Sequence, residues 1–237
     1  MILYGRNAVH EALRAGRRRM FEIWATAAAI EGEDWLRDPG VPVHVATTAD
    51  ISHRADSEGH QGVCASVEGY HYVGAHELLT QPDPLIVALD EVQDPQNLGA
   101  ICRTAEGVGA TGLVIAERRA AEVTPAACKA SAGALEWLRV ARVRNIADFL
   151  GEAKQAGCWC YGADAVPEAV DYMTPDFTGG VVLVLGAEGK GLRPRVAASC
   201  DQLVRLPLRG HLDSLNVSAA AAALLYGILQ SRVDRAS

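Results

Sequence analysis

The sequence lacks the features of a secreted or membrane-spanning protein. Its first residues carry charges directly after a short apolar start, without the apolar core of a signal peptide. The longest apolar stretch, around residues 219–229, is too short to cross a bilayer. We therefore expect a cytoplasmic protein.

Cysteine is present, but without the spacing of a metal site or a redox motif. The six cysteines include no C-x-x-C pair, and no histidines stand at zinc-ligand spacing. We expect buried, reduced thiols and no metal site. In the segment CWC, Cys158 and Cys160 alternate with Trp159, so a strand there would place both sulfurs on one face.

The sequence also lacks the excess of positive charge that is typical of a general nucleic-acid coat. Its 22 Lys and Arg against 29 Asp and Glu give a formal net charge of −7, whereas non-specific phosphate binding depends on clustered Lys and Arg. Local clusters remain, and each is either a solvated face or part of an RNA surface. They comprise Arg14, Arg17, Arg18 and Arg19, and, near the C-terminal glycine loops, Arg193, Arg195, Arg205 and Arg209.

The pattern G-x-G-x-x-G, which in many enzymes holds a dinucleotide pyrophosphate, occurs once as GVGATG over residues 107–112. That function needs a strand before the glycines and a helix after them, because the phosphate binds free N–H groups at a helix N-terminus. Here Leu98, Ile101 and Ala105 predict a helix before the glycines, and the run from Leu113 predicts a strand after them. The order is reversed, so the pattern predicts a turn and disfavours a nucleotide-dependent dehydrogenase.

The chain divides at a segment that contains two prolines and no periodicity, residues 76–84. We expect this segment to be a linker between an N-terminal α/β domain over residues 1–75 and a second domain over residues 85–237. In the first domain the patterns predict a helix over 7–15 and strands over 21–25, 41–47 and 61–69.

In the second domain, near-continuous apolar runs alternate with helical patterns. The runs PLIVALD, TGLVIA, GCWCYGA, GGVVLVLG and QLVRLPL predict a mostly parallel sheet covered on both faces. Ligands bind such sheets outside the carboxyl ends of the strands. Chemistry is therefore expected in the loops after Leu89, Leu185 and Leu208.

Those three loops read DEVQDPQNLGAICRTAEG, LVLGAEGKGL and LPLRGHLDSLNVSAAAAALLYGIL. Together they resemble the three signature motifs of the SpoU family of RNA 2′-O-ribose methyltransferases, in the family's order, over about residues 85–230. The N-terminal segments YGRNAVHEAL and HQGVCASV resemble the small RNA-binding domain of the bacterial 23S rRNA guanosine methyltransferases of that family. The resemblance implies an α/β fold, with a C-terminal deep trefoil knot in the catalytic domain.

The resemblance also implies the site. Arg103 matches the family's catalytic arginine, which we interpret as a clamp and electrostatic stabiliser, because a guanidinium releases its proton too reluctantly to be a good general base. The assignment of Arg103 as the general base itself stays open. Asn97 and Glu188 are expected to brace the loops, with Glu188 also holding Arg103. Ser214 and Asn216 are expected both to cap the last helix and to serve the catalytic site.

S-adenosylmethionine is the cofactor that the resemblance implies, held mainly by main-chain groups and apolar side chains, with Gly186, Leu206 and Leu215 lining the adenosine site. The implied partners are RNA and a second copy of the chain in a homodimer formed through the catalytic domain. One departure is Asp213, an acidic residue where RNA phosphate should approach, which either weakens RNA binding or pairs with an arginine.

Two alternatives stay open beside a methyltransferase of 23S rRNA. One is a tRNA ribose methyltransferase of the same family. The other is a catalytically silent RNA-binding protein of ribosome assembly, which is expected to have lost one or more of the five polar site residues. All five are present.

Overall fold

The computed structural model describes residues 1–211 and 214–236 and begins with a small mixed sheet. The sheet order is β1-β4-β2-β3, with β4 antiparallel to β1 and β2, and β3 parallel to β2. Its strands are β1 (Ile2–Tyr4), β2 (Met20–Ala25), β3 (Val43–Val45) and β4 (Val63–Val67). Its helices are α1 (Arg6–Ala15), α2 (Ala27–Gly32) and α3 (Thr48–Ala55). These positions confirm the predicted helix and three predicted strands.

Local signals explain the ends of these helices. The α1 helix stops at Gly16, whose φ of 59° is the left-handed conformation that glycine adopts without strain. The α3 helix begins after Thr47, whose hydroxyl accepts from the Asp50 backbone N–H while the Asp50 side chain bonds back to Thr47. This capping box satisfies two N–H groups at the helix start.

The second unit is built on a seven-stranded sheet of order β7-β6-β5-β10-β8-β11-β9, in which every pairing is parallel. The carboxyl ends of all its strands therefore lie along one edge. The strands are β5 (Leu85–Asp90), β6 (Gly112–Ala116), β7 (Val140–Val143), β8 (Trp159–Ala163), β9 (Val170–Asp171), β10 (Val181–Gly186) and β11 (Gln202–Arg205). The predicted parallel sheet is confirmed.

Helices cover both faces of this sheet. They are α4 (Ala75–Leu79), α5 (Pro95–Gly107), α6 (Pro125–Ala130), α7 (Ile146–Gln155), α8 (Pro194–Ser199) and α9 (Val217–Ala236). Alternate residues of β5 belong to different cores: Val87 and Leu89 pack with α5 and α9, whereas Ile86 and Ala88 pack with α4, α7 and α8. Burial on both faces is why this strand reads as an unbroken apolar run.

The glycines of GVGATG turn the chain, as predicted. The α5 helix ends at Gly107, Gly109 has a φ of 73°, and β6 follows from Gly112. No helix begins behind these glycines, so no phosphate site of the dinucleotide type is formed there.

The two units share one hydrophobic core. Leu3 and Val9 of the first unit belong to the same buried cluster as Leu98 and Ile101 of α5. The short helix α6 lies between them, contacting both β1 and α5. Movement of the first unit would therefore disturb the helix that carries the first signature motif.

The arginine cluster near residue 18 is in part structural: Arg18 fits neither interpretation offered for the cluster, whereas Arg14, Arg17 and Arg19 are exposed and leave both open. Arg18 is buried and pairs with the buried Glu136 of the second unit. Arg14 pairs with Glu11 at 2.8 Å on the surface of α1. An isolated buried charge is costly, so the ion pair ties Arg18 to the interface and removes it from any RNA surface.

Three features of the second unit differ from the predictions. Helix α4 lies in the segment predicted as a linker, with Leu78 and Leu79 buried; the domain boundary itself stays a prediction. The last predicted strand stops at Arg205, because Pro207 has no N–H to donate to a sheet. Strands β7 and β9 were not predicted, since they are short and only partly buried.

The cysteines agree with the prediction of reduced, buried thiols. All six are free, five are buried, and Cys200 is half-buried. Cys158 and Cys160 enter the same buried cluster while Trp159 between them is exposed, as the CWC pattern predicted. Within the described residues, no helix is both long and apolar enough to span a membrane, and no His, Cys, Asp and Glu side chains gather into a metal site.

Candidate active site

A cavity of about 460 Å³ opens at the carboxyl edge of the second sheet. We call it the edge cavity; its walls are the ends of β8, β10 and β11, the loops after them and the start of α9. Five of the eight predicted site residues line it: Gly186, Glu188, Leu206, Ser214 and Leu215. The edge cavity therefore unites residues that are nearly thirty positions apart in sequence.

Three predicted catalytic residues form a hydrogen-bonded chain beside the edge cavity. Asn216 Nδ2 donates to Asn97 Oδ1 at 3.0 Å, and Asn97 Nδ2 donates to Glu188 Oε2 at a longer 3.5 Å. Asn97 is buried, whereas Glu188 is exposed. One polar chain thus connects all three signature loops, with the buried amide of Asn97 at its centre.

Asn216 also caps α9. Its Oδ1 accepts from the backbone N–H of Ser218 at 2.9 Å and of Ala219 at 3.4 Å. This contact satisfies N–H groups that the first turn of a helix leaves unpaired. Ser214 is exposed at the edge cavity and lies outside the helix, so the predicted capping role belongs to Asn216 and not to Ser214.

The first signature loop is attached to the second by a charged contact that the sequence analysis missed. Asp90, fully buried at the end of β5, accepts from Arg193 Nε at 2.7 Å and from the Arg193 backbone N–H at 2.9 Å. The hydrogen bond to Asp90 raises the pKa of the Arg193 guanidinium above its ordinary value. The signal was available, since a strand that is apolar to its last residue and ends in Asp requires a partner for that carboxylate.

The second signature loop closes over its own strand, which requires glycine. A Cβ on Gly186 would lie 2.3 Å from the carbonyl carbon of Gly191, so no side chain fits there. Gly191 has a φ of 64°, and its N–H donates to the Ala187 carbonyl at 3.0 Å. The loop therefore presents main-chain groups to the edge cavity, as expected for a site that binds its ligand mainly through the backbone.

Arg103 stands apart from the other predicted catalytic residues. It is exposed on α5 and forms no hydrogen bond or ion pair with any described residue. It lies six positions after Asn97, which places the two side chains about 120° apart around the helix axis. The predicted contact between Glu188 and Arg103 is therefore absent within the described part of the chain, and Glu188 instead contacts Asn97.

The third signature loop is described only in part. Asn216, Leu215 and Ser214 have been placed above, whereas Leu212 and Asp213 lie outside the described residues. The expectation that Asp213 weakens RNA binding or pairs with an arginine therefore stays a prediction.

Residues 84–226 match the SpoU rRNA methylase family. Residues 2–73 match the family described as RNA 2′-O ribose methyltransferase substrate binding. The chain is a member of the SpoU family. The motif resemblance seen in the sequence is confirmed, and both SpoU regions coincide with the two units of the fold.

The SpoU relatives span nearly the whole chain. The Bacillus subtilis protein YacO, named for the TrmH family of tRNA/rRNA methyltransferases, is 37% identical over 238 residues, covering 96% of this chain and 94% of the relative. The crystal structure of the SpoU methyltransferase AviRb from Streptomyces viridochromogenes, in complex with the cofactor AdoMet, has a TM-score of 0.82 at 26% identity and covers 98% of this chain and 90% of that one. An AdoMet-bound rRNA methyltransferase from Sinorhizobium meliloti has a TM-score of 0.80 at 28% identity, covering 97% and 86%.

This SpoU protein is an RNA methyltransferase that uses S-adenosylmethionine. The edge cavity fits that cofactor in two respects. Its volume of about 460 Å³ lies in the range of small-molecule sites. Its lining combines main-chain groups of the Gly186 to Gly191 loop with the apolar side chains of Leu206 and Leu215.

Proposed function

We propose that this SpoU protein methylates the 2′-hydroxyl of a guanosine ribose in large-subunit (23S) rRNA. The observation that carries the proposal is the chain of Asn97, Glu188 and Asn216, which connects the three signature loops beside a cavity suited to S-adenosylmethionine. A scaffold that only binds RNA has no need to maintain this arrangement.

One comparison supports the choice of rRNA over tRNA: the rRNA methyltransferase from Sinorhizobium meliloti covers 97% of this chain and so aligns with both units. The substrate-binding family that matches residues 2–73 is described for RNA without a distinction between the two kinds. YacO is named for both kinds of RNA, so tRNA remains the alternative substrate. A cytoplasmic location and a knotted C-terminal region also stay predictions.

S-adenosylmethionine supplies an electrophilic methyl group on a sulfonium sulfur, and the residues of this chain must align a ribose hydroxyl with it. We propose that Gly186, Leu206 and Leu215 hold the adenosine in the edge cavity. Ser214 and Glu188, both exposed at its mouth, then face the incoming ribose. Such positioning lowers the barrier of an in-line displacement by several kcal/mol, within the roughly 7–11 kcal/mol that orientation can supply.

Arg103 serves this site as a clamp for the phosphate of the target nucleotide. Its guanidinium presents a planar fork to phosphate oxygens and favours a developing negative charge on the hydroxyl. Because Arg103 is exposed and lies about 120° around α5 from Asn97, we propose that it acts in the edge cavity of a second protomer. A homodimer formed through the catalytic unit brings Arg103 of one protomer to the edge cavity of its partner.

Methyl transfer from labelled S-adenosylmethionine to total RNA of cells lacking the gene tests the reaction and its target. We expect label in 23S rRNA as an alkali-resistant 2′-O-methyl dinucleotide, and none with Arg103→Ala. Arg37→Ala, an exposed arginine that pairs with Asp34 and lies outside both arginine clusters, is the matched control and should retain activity. Label in tRNA would show that the protein is a tRNA methyltransferase. Binding of the donor without methyl transfer to free or precursor rRNA would indicate a catalytically silent RNA-binding protein.

Mixed dimers test the position of Arg103. A heterodimer of one Arg103→Ala protomer and one Glu188→Ala protomer is purified through two different tags. If Arg103 acts in the partner's site, one of the two sites is intact and about half of the wild-type activity returns. If Arg103 acts in its own protomer, both sites carry one lesion, and the heterodimer is no more active than the single variants.

A further inference from the structure

The lining of the edge cavity contains a carboxylate that the signature motifs do not include. Asp164 directly follows β8, between the ends of β10 and β11, and its backbone N–H donates to the Val204 carbonyl at 3.0 Å. It is half-buried and lines the cavity together with Gly186 and Leu206. The residue therefore shares the cavity lining with two of the residues proposed to hold adenosine.

The Asp164 side chain is held against the second signature loop. A Cβ built on Gly191 would lie 3.2 Å from Asp164 Oδ2, so the carboxylate packs directly under the main chain of that loop. Gly191 has no side chain to shield it. The loop thus covers the carboxylate on one side and leaves the cavity on the other.

The carboxylate has no partner of its own among the residues that the structure describes. The cationic residues in the cavity lining are Arg205, whose Nη1 donates to the Pro167 carbonyl at 3.3 Å, and Lys190, whose side chain forms no polar contact with described residues. An ionised carboxylate is an acceptor with about four lone-pair sites, and partial burial without hydrogen bonds is unfavourable. A ligand that brings hydroxyl donors to this position would satisfy it.

We propose that Asp164 recognises the methyl donor by accepting hydrogen bonds from its ribose hydroxyls. A vicinal diol presents two O–H donors to the two oxygens of one carboxylate, and the negative charge also favours a cationic donor over a neutral one. The role is one of binding and orientation. This inference rests on the proposed function, since it assumes that the edge cavity is the donor site.

Isothermal titration of the full-length protein with two ligands tests the proposal. S-adenosylhomocysteine contains both the ribose and the amino-acid tail, whereas 5′-methylthioadenosine contains the ribose but lacks the amino-acid tail. The substitution Asp164→Asn keeps the shape of the side chain and removes the negative charge of the carboxylate. Because a hydrogen bond to a charged group contributes about 1.5–3 kcal/mol, we expect this variant to weaken the binding of both ligands by about tenfold or more.

The matched control is Glu168→Gln, which removes the same charge from an exposed position outside the cavity and should bind both ligands with wild-type affinity. Thermal unfolding of the ligand-free variants checks that each is folded. Unchanged affinity of folded Asp164→Asn for both ligands overturns the proposal. Weakened binding of S-adenosylhomocysteine alone also overturns it, because the carboxylate would then hold the ammonium group of the tail.

The two levels of inference fail differently. If the wild-type protein binds neither ligand, the proposed function loses its donor site and the role of Asp164 is lost with it. If the wild-type protein binds both and Asp164→Asn binds equally well, only the role of Asp164 is wrong.

Discussion

The buried ion pair between the two units should be essential for the stability of the whole chain. Arg18 and Glu136 are 118 positions apart, and their side chains are 3% and 2% exposed. Arg18 Nε donates to Glu136 Oε2 at 3.0 Å, and Arg18 Nη2 contacts the other carboxylate oxygen. Replacing Arg18 by Ala leaves the Glu136 carboxylate buried without its partner.

The size of the effect follows from that burial. Removing one partner of a buried pair costs about 3–5 kcal/mol, far more than the loss of an exposed pair. Since the total stability of a protein is about 5–15 kcal/mol, this is a large fraction of it. For a chain of this length, a loss of 1 kcal/mol in the free energy of unfolding lowers the midpoint temperature of thermal unfolding by about 2–4 °C. We therefore expect the midpoint of Arg18→Ala to lie about 6–20 °C below that of the wild type.

The assay is thermal and urea unfolding followed by circular dichroism, with calorimetry to test for a single transition. One transition is expected, because the two units share a hydrophobic core. Arg17→Ala, the neighbouring exposed arginine, is the control and should change the free energy of unfolding by less than about 0.5 kcal/mol.

A double variant separates the cost of the lone charge from the value of the pair. Arg18→Met with Glu136→Met removes both charges and should recover most of the stability that Arg18→Ala loses. A loss below about 1 kcal/mol for Arg18→Ala would refute the reasoning, since it would mean that water reaches Glu136 in the folded protein. Two separate transitions in the wild type would refute the shared core.

Two further predictions concern the second unit. Burial raises the pKa of the Cys200 thiol to about 12, so its thiolate is scarce at pH 8. We therefore expect Cys200 to react with Ellman's reagent much more slowly than a free thiol of pKa about 8.5. Rapid reaction of Cys200 in the folded protein would contradict this. A Cβ on Gly99 would lie 2.6 Å from the Ala127 carbonyl oxygen, so Gly99→Ala should force α5 away from α6. We expect urea unfolding to show a loss of about 1–3 kcal/mol in the free energy of unfolding, although Ala has the better helix propensity. Gly151→Ala is the matched control, because nothing lies within 4 Å of its Cβ position and the substitution should be neutral or stabilising.

The predictable part of the fold was the part with strong local patterns. The five apolar runs became strands of one parallel sheet. In β5, β6 and β10 the physical reason is burial on both faces, which demands unbroken apolar sequence. Strand β9 was missed because two residues leave no period to recognise, and α4 was missed because a five-residue helix near two prolines resembles a linker.

The motifs selected the candidate site residues, whose catalytic roles stay predictions, but the sequence did not predict their geometry. The motifs identified Asn97, Glu188 and Asn216, and their positions after strands indicated one edge of a sheet. Their mutual hydrogen bonds could not be read from the sequence, because the three residues lie on different loops. The isolation of Arg103 was likewise unpredictable, since it depends on the rotation of α5 relative to its neighbours.

The sequence by itself determined the long apolar strands, the parallel sheet and the family, because these depend on local periodicity and on short runs of specific residues. Only the tertiary structure decided which charges are structural and which are available to a ligand. Arg18, one of four clustered arginines, is neutralised by a carboxylate 118 positions away, whereas Asp164, in an unremarkable loop, faces a cavity without a described partner. The physical reason is that the burial and pairing of a charge depend on residues that are distant in sequence and become neighbours only when the chain has folded.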